Sequence, residues 1–201
     1  MTEFDHEQHL IKGDADAARS WIQSSALPED QKADLLQFVA NFSSLTFVKE
    51  DDAILDHYAE TDRVALPAWL REVRSTLAFV DPPMLLQVDD FQWYNSPRSD
   101  DVDDIWYQLL FGYHGEEQRT LFFEDAKIYR IGVWWGTDES YLGVDLHAPG
   151  DQRIFDFSGA DLRDNKLAGR PVRGSLYPVF ESYAQLLAHV AEVQPLDSAA
   201  L

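Results

Sequence analysis

The chain has 201 residues, 45% of them apolar and 13% aromatic, which is enough apolar material for one folded domain and argues against global disorder. Its 36 acidic and 16 basic residues leave a net charge of −20, which excludes general binding of nucleic acid or of anionic lipid surfaces. The lack of Cys excludes disulfides, thiolate metal sites and cysteine nucleophiles.

The amino-terminal residues are acidic and lack the basic, then apolar, then small-residue order of a secretory signal. No apolar run along the chain approaches the roughly 20 residues that a membrane-spanning helix needs. We therefore expect a cytoplasmic protein that does not contact a membrane.

Helical periodicity dominates the first 80 residues. Ala18, Trp21 and Ile22 share one face of a predicted helix over residues 15–24, and Asp14 can cap it. Pro28 opens a second predicted helix, because proline and acidic residues favour a first helical turn. A third helix is predicted after the acidic residues 50–52, and a fourth after Pro67.

Short aromatic and β-branched runs replace this periodicity from residue 84 onward and indicate strands. The predicted strands cover residues 85–88, 105–113, 120–123, 128–135, 141–146 and 153–157. Their short connections favour antiparallel pairing. A final helix is predicted over residues 176–193, because its apolar stripe is wide enough to cover a sheet.

The predicted fold class is therefore α+β: an antiparallel (mixed) sheet of about six strands, with the amino-terminal helices and the carboxy-terminal helix packed on it. We expect a helical extension over residues 1–45 that docks on the rest, an α+β domain over residues 46–195, and a tail over residues 196–201.

Catalytic and metal-binding motifs are not indicated. His6 and His9 lie three residues apart without the pattern of a helical zinc motif. Paired acids such as Glu116-Glu117 could serve glycoside hydrolysis, but they are too numerous to mark a dyad. We expect no catalytic residues, no metal and no cofactor, so the protein is not predicted to be an enzyme.

The acidic charge is concentrated, with 18 acidic and 6 basic residues between positions 81 and 164. The densest cluster, residues 96–104, is flanked by aromatic residues. Acids raise the rate of encounter with a basic protein, and buried aromatic rings slow its release. The residues expected to contact such a partner are Asp89, Asp90, Trp93, Tyr94, Asp100, Asp101, Asp103, Asp104, Trp134, Trp135, Asp138 and Glu139.

Two alternatives to this interpretation remain open. Asp outnumbers Glu by 24 to 12, a composition that adaptation to salt could produce without any partner. Trp134 and Trp135 are adjacent in a predicted strand, so that one ring points inward as core and only the other is available for binding.

Five motifs over residues 50–193 resemble, in order, those of the SUKH superfamily. They are Leu66-Pro67 at a helix start, Ile131-Gly132 at a strand end, the segment 138–145 that closes on Asp145, the strand 154–157, and the helix 180–187. Many members carry an Asn-Gly-Gly turn after the first of these helices, where this chain has residues 79–83 (FVDPP).

The resemblance implies an α+β fold with an antiparallel sheet and no catalytic apparatus. In bacteria it implies an immunity protein that blocks a cognate polymorphic toxin, often a nuclease. Eukaryotic members regulate cell-wall synthesis as interaction proteins, so a regulatory adaptor is the alternative function, and a carboxylate-based hydrolase is a third. A basic nuclease toxin fits the acidic surface that the composition predicts.

Overall fold

The computed structural model describes residues 4–81, 84–88, 91–95, 119–133, 140–189 and 191–192. Within these ranges α-helices and antiparallel strands alternate, so the predicted α+β class is confirmed. No helix in the described ranges is both long enough and apolar enough to cross a membrane.

Four helices lie in the amino-terminal part, in the positions that the sequence predicts. They are α1 (Ala15–Ser24), α2 (Glu29–Asn41), α3 (Asp52–Asp62) and α4 (Ala68–Thr76). Asp14 caps α1 by accepting a hydrogen bond from the amide of Ala17, and Asp51 caps α3 by accepting one from Ile54. Pro28 and Pro67 precede α2 and α4, where proline suits the start of a helix.

Ten strands form three antiparallel sheets in the described part of the chain. The first sheet has the order β1-β2-β3, with β1 Leu10–Gly13, β2 Thr46–Glu50 and β3 Phe79–Asp81. The second has the order β10-β4-β5, with β4 Met84–Val88, β5 Phe91–Asn95 and β10 Ala191–Glu192. The third has the order β6-β7-β8-β9, with β6 Ile128–Val133, β7 Ser140–Asp145, β8 Ile154–Ser158 and β9 Tyr177–Phe180.

The prediction of one sheet of about six strands is therefore wrong, although antiparallel pairing is correct for every described pair. Strands β1, β2 and β3 were not predicted because they have three to five residues each and alternate with helices. Runs of that length are too short for a period of two to stand out. The predicted strand over residues 105–113 lies outside the described residues.

Residues 120–123 are also not a strand, because Thr120–Asp125 forms a π-helix in which the amide of Ala126 bonds to the carbonyl of Leu121. The predicted long final helix is divided. Pro178 lies in strand β9, and helix α6 covers only Tyr183–His189, beginning after Ser182. The hydroxyl of Ser182 accepts a hydrogen bond from the amide of Gln185, a serine cap that stops the helix from extending backward.

A helix that the sequence pattern did not suggest, α5 (Gly159–Leu167), follows strand β8. It buries little beyond Leu162, which explains why no apolar stripe indicated it. One continuous hydrophobic cluster joins the helices to the third sheet, and its fully buried aromatic residues include Phe38, Phe47, Phe122 and Phe157. The division at residue 45 stays a prediction.

Candidate functional site

The acidic contact surface that the sequence predicts falls almost entirely outside the described residues. The following contact residues lie outside them: Asp89, Asp90, Asp100, Asp101, Asp103, Asp104, Trp134, Trp135, Asp138 and Glu139. The other two contact residues, Trp93 and Tyr94, belong to strand β5. Their backbones pair with those of Leu86 and Leu85 in β4. The assignment of this surface stays a prediction.

Seven of the fifteen Lys and Arg residues in the described ranges form ion pairs with carboxylates of the chain itself. The ion pairs are Arg19–Asp16, Lys32–Glu29, Arg71–Asp56, Arg74–Glu50, Arg153–Asp151, Lys166–Asp125 and Arg173–Asp145. Because acids outnumber bases more than twofold in the chain, these pairs neutralise the cations and leave a large anionic excess.

Crowding of like charges is visible on helix α2. Burial raises the pKa of Asp34, and the carboxylate of Asp30 one turn earlier raises it further, whereas His189 opposes the change. Two acids four residues apart on one helix face destabilise the helix slightly. Asp30 and Asp34 therefore add a small electrostatic cost to helix α2.

Glu50 and Arg74 form an ion pair inside the protein. The Nε and Nη2 atoms of Arg74 donate to the two carboxylate oxygens of Glu50 at 2.5 and 2.7 Å, and the hydroxyl of Tyr58 donates to the same carboxylate at 3.3 Å. The Glu50 side chain is fully buried. Burial would lower the pKa of Arg74, but the attraction of Glu50 outweighs it, so the pair joins β2 to α4 in its charged form.

A second charged network supports the turn between the π-helix and β6. Arg173 donates to the buried carboxylate of Asp145 at 2.5 Å and to the carbonyl of Ala126 at 2.7 Å. Its Nη1 atom also lies 3.3 Å from the carbonyl oxygen of Lys127. Arg173 therefore holds the carbonyl groups of the two peptide bonds that flank Lys127.

A cleft of about 400 Å³ lies between the end of α3, the π-helix and the adjoining ends of β6 and β7. We name it the cationic cleft, because Arg63, Arg119 and Lys127 line it. None of the three forms an ion pair with a carboxylate of the described residues. They thus differ from the seven paired cations.

Arg63 and Lys127 have an uncommon backbone conformation. Their φ angles are 56° and 53°, and no other residue except glycine has a positive φ in the described part. Arg63 ends α3 as the left-handed residue of a Schellman motif, where glycine is usual. A residue with a side chain costs about 1 kcal/mol more than glycine in this conformation.

Arg119 precedes the π-helix and is tethered at one end of its guanidinium. Its Nη1 atom donates to the carbonyl of Thr61 at 3.0 Å. Its Nε atom is buried and has no hydrogen-bond acceptor in the described structure. A buried donor without an acceptor is destabilising, so Arg119 carries an unsatisfied polar group beside the cleft.

The other walls of the cleft combine apolar and acidic groups. Phe123 and Leu146 contribute apolar surface, and Asp62 and Glu124 contribute carboxylates. Asp62 is buried and accepts a hydrogen bond from the hydroxyl of Tyr129 at 3.2 Å, whereas Glu124 is exposed. The volume of the cleft and its combination of apolar and polar walls are typical of a site that binds a small molecule.

The cationic cleft was not predicted from the sequence. Arg63 lies more than fifty residues before Arg119 and Lys127 in the chain, and it joins them only because α3 ends beside the π-helix. A local signal did exist, since Arg63 directly follows the last turn of an apolar-periodic segment without the glycine that usually ends a helix.

The chain was compared with models of protein families, with curated proteins and with solved structures, and none of them matches it. Its function must therefore be argued from its own residues.

Proposed function

We propose that this chain is an acidic interaction protein of the bacterial immunity type, which neutralises a basic, nuclease-type toxin by covering its surface. The observation that carries the proposal is the anionic excess: the net charge is −20, and seven of the fifteen described Lys and Arg residues are also paired with carboxylates within the chain. Such a protein attracts cationic surfaces and repels nucleic acid.

The expected mechanism is occlusion without bond-making. A nuclease carries cations where it grips phosphate groups, so an acidic protein can occupy the same surface and exclude the substrate. Asp100, Asp101, Asp103 and Asp104 would steer the encounter. Buried aromatic contact would come from Trp93, from Tyr94, or from one of Trp134 and Trp135. The proposal also rests on the SUKH-like order of motifs in the sequence.

The test begins with recovery of the partner from the native host by the intact chain at moderate salt. We expect a basic protein with nuclease activity, and we expect one equivalent of the chain to abolish that activity. A bovine serum albumin control, also acidic, should leave the nuclease active. Complex formation that leaves the partner's activity intact would contradict toxin neutralisation and indicate a regulatory adaptor instead.

A further inference from the structure

The cationic cleft carries an inference that does not depend on the proposed function. We propose that it binds a small phosphate monoester with an apolar organic body. The phosphate lies among Arg63, Arg119 and Lys127, and the body packs against Phe123 and Leu146.

The charge of the cleft indicates the class of ligand. Arg63, Arg119 and Lys127 are without carboxylate partners among the described residues, in a chain whose acids exceed its bases by 20. These three cations outnumber the two carboxylates in the lining, Asp62 and Glu124, so the cleft carries a net positive charge that attracts an anion. Guanidinium groups bind phosphate through several charge-assisted hydrogen bonds, which favours phosphate over a singly charged carboxylate.

Arg119 supplies an independent indication. The bond from its Nη1 atom to Thr61 holds the guanidinium in place before any ligand arrives. Its buried Nε–H then lacks an acceptor in the described structure. Because this Nε atom is buried, the guanidinium must shift for a phosphate oxygen to accept its hydrogen bond, and that bond would remove a cost that the unliganded protein carries.

The backbone supplies a third indication. Arg63 and Lys127 occupy left-handed conformations that glycine adopts with less strain, and both side chains line the same cleft. Strained residues that cluster around one cavity support a functional role for it. Arg173 stabilises the Lys127 turn from behind by bonding the flanking carbonyls.

The remaining walls restrict what the phosphate is attached to. Phe123 stacks on Tyr129 with ring centroids 5.8 Å apart, which fixes an apolar wall for the body of a ligand. The carboxylates of Asp62 and Glu124 line the same cleft, so a second or third phosphate group would face negative charge. A monoester fits these walls better than a polyphosphate does.

Calorimetric titration of the intact chain with phenyl phosphate tests this inference directly. Salt is kept at about 0.15 M, where the Debye length of about 8 Å limits repulsion by the distant acids. We expect phenyl phosphate to bind with a Kd below about 1 mM, and inorganic phosphate, benzoate and ATP each to bind at least about tenfold more weakly. No heat of binding at about 10 mM phenyl phosphate, or equal affinity for any of the other three, overturns the proposal.

Variants separate binding from folding. Arg63→Gly and Lys127→Gly should each raise the Tm by about 2–4 °C, because glycine relieves the positive φ. Each should nevertheless weaken phenyl phosphate binding about tenfold or more, as should Arg119→Met. Arg170→Gln, which removes an exposed cation that does not line the cleft, is the control and should bind like the wild type. Unchanged affinity in all three cleft variants would overturn the proposal.

Discussion

Individual charged side chains in this protein differ in how they affect the stability of the fold. Glu50 and Arg74 form an ion pair inside the core. Asp51 combines helix capping with a hydrogen bond to His9, and Arg63 lies in a strained backbone conformation without a carboxylate partner among the described residues. The three side chains differ in how far they are buried. When one partner of a pair is removed, the loss of stability is larger if the remaining charged group is shielded from water. Two substitution series test this ordering.

Arg74→Met should be among the most destabilising substitutions in the chain. It leaves the Glu50 carboxylate fully buried without its cation, so we expect a loss of about 3–5 kcal/mol in the free energy of unfolding. Arg71→Met is the control, because it breaks a more exposed pair with Asp56 and should cost at most about 1 kcal/mol. Urea denaturation measures both values, and similar losses would contradict the account.

The double variant Glu50→Leu with Arg74→Met should recover much of that stability. It removes the uncompensated charge together with its partner, and apolar replacements of buried ion pairs are often close to neutral. The same urea experiment applies. A double variant as unstable as Arg74→Met alone would show that packing rather than the buried charge determines the loss.

The lowered pKa of Asp51 predicts that the stability of the fold changes with pH. Burial acts to raise its pKa, but the hydrogen bonds from His9 at 2.9 Å and from the amide of Ile54 outweigh burial and lower it. A carboxyl whose pKa is lower in the folded state stabilises the fold above its unfolded pKa of about 3.9. That contribution is lost as the pH falls through the lower, folded value.

Asp51→Asn should therefore unfold more easily than the wild type at pH 7, by at most about 1 kcal/mol because the pair is partly exposed. Asparagine still caps the helix, and the difference should vanish between about pH 4 and pH 2, once the wild-type carboxyl is protonated. Urea midpoints across pH measure the effect. Asp14→Asn is the control, because it makes the same change at a helix cap that has no histidine partner. A stability difference between Asp51→Asn and the wild type that persists at the lowest pH would contradict the lowered pKa of Asp51.

At the scale of secondary structure elements, helices were more predictable than strands. Helices α1 to α4 carry caps, prolines and apolar stripes that act within a few residues, so local sequence determines them. Strands β1 to β3 are short and stable only through pairing over distance, as when Leu10 of β1 pairs with Glu50 of β2. The Ser182–Gln185 cap was a usable signal for α6, since a serine followed three residues later by glutamine is typical of a helix start.

The third sheet depends on the absence of a side chain at Gly143. A Cβ atom there would lie 2.6 Å from Cγ1 of Ile128, 2.8 Å from Cε1 of Phe157 and 3.0 Å from the carbonyl oxygen of Tyr129. Gly143→Ala should therefore lower the free energy of unfolding by about 1–3 kcal/mol.

Gly150→Ala is the matched control for this substitution, because nothing lies within 4 Å of the added Cβ. It should change stability by less than about 0.5 kcal/mol. Urea denaturation compares the two variants. An equal response would contradict the close packing of β7 between β6 and β8.

At the scale of the whole molecule, composition indicates a class of function, which stays a prediction, and gives no indication of the cleft. Net charge and residue types can be read directly from the chain, whereas the meeting of Arg63, Arg119 and Lys127 depends on how distant segments pack. The chain thus combines a general anionic character with a local cationic cleft in its described part. These two features predict separate ligands, a basic protein and a small phosphate, which can be tested independently.

The central claim is that acidic residues steer the chain onto a basic partner. Its most direct test is the association rate constant of the recovered partner with a variant that carries Lys at positions 100, 101, 103 and 104. The account predicts association about tenfold slower or more, with a flatter dependence on salt. The control carries Lys at the exposed positions 30, 60, 164 and 181 and should associate much faster than that variant. Equal rates for the two variants would contradict the assignment of this surface, and wild-type rates for both would contradict steering itself.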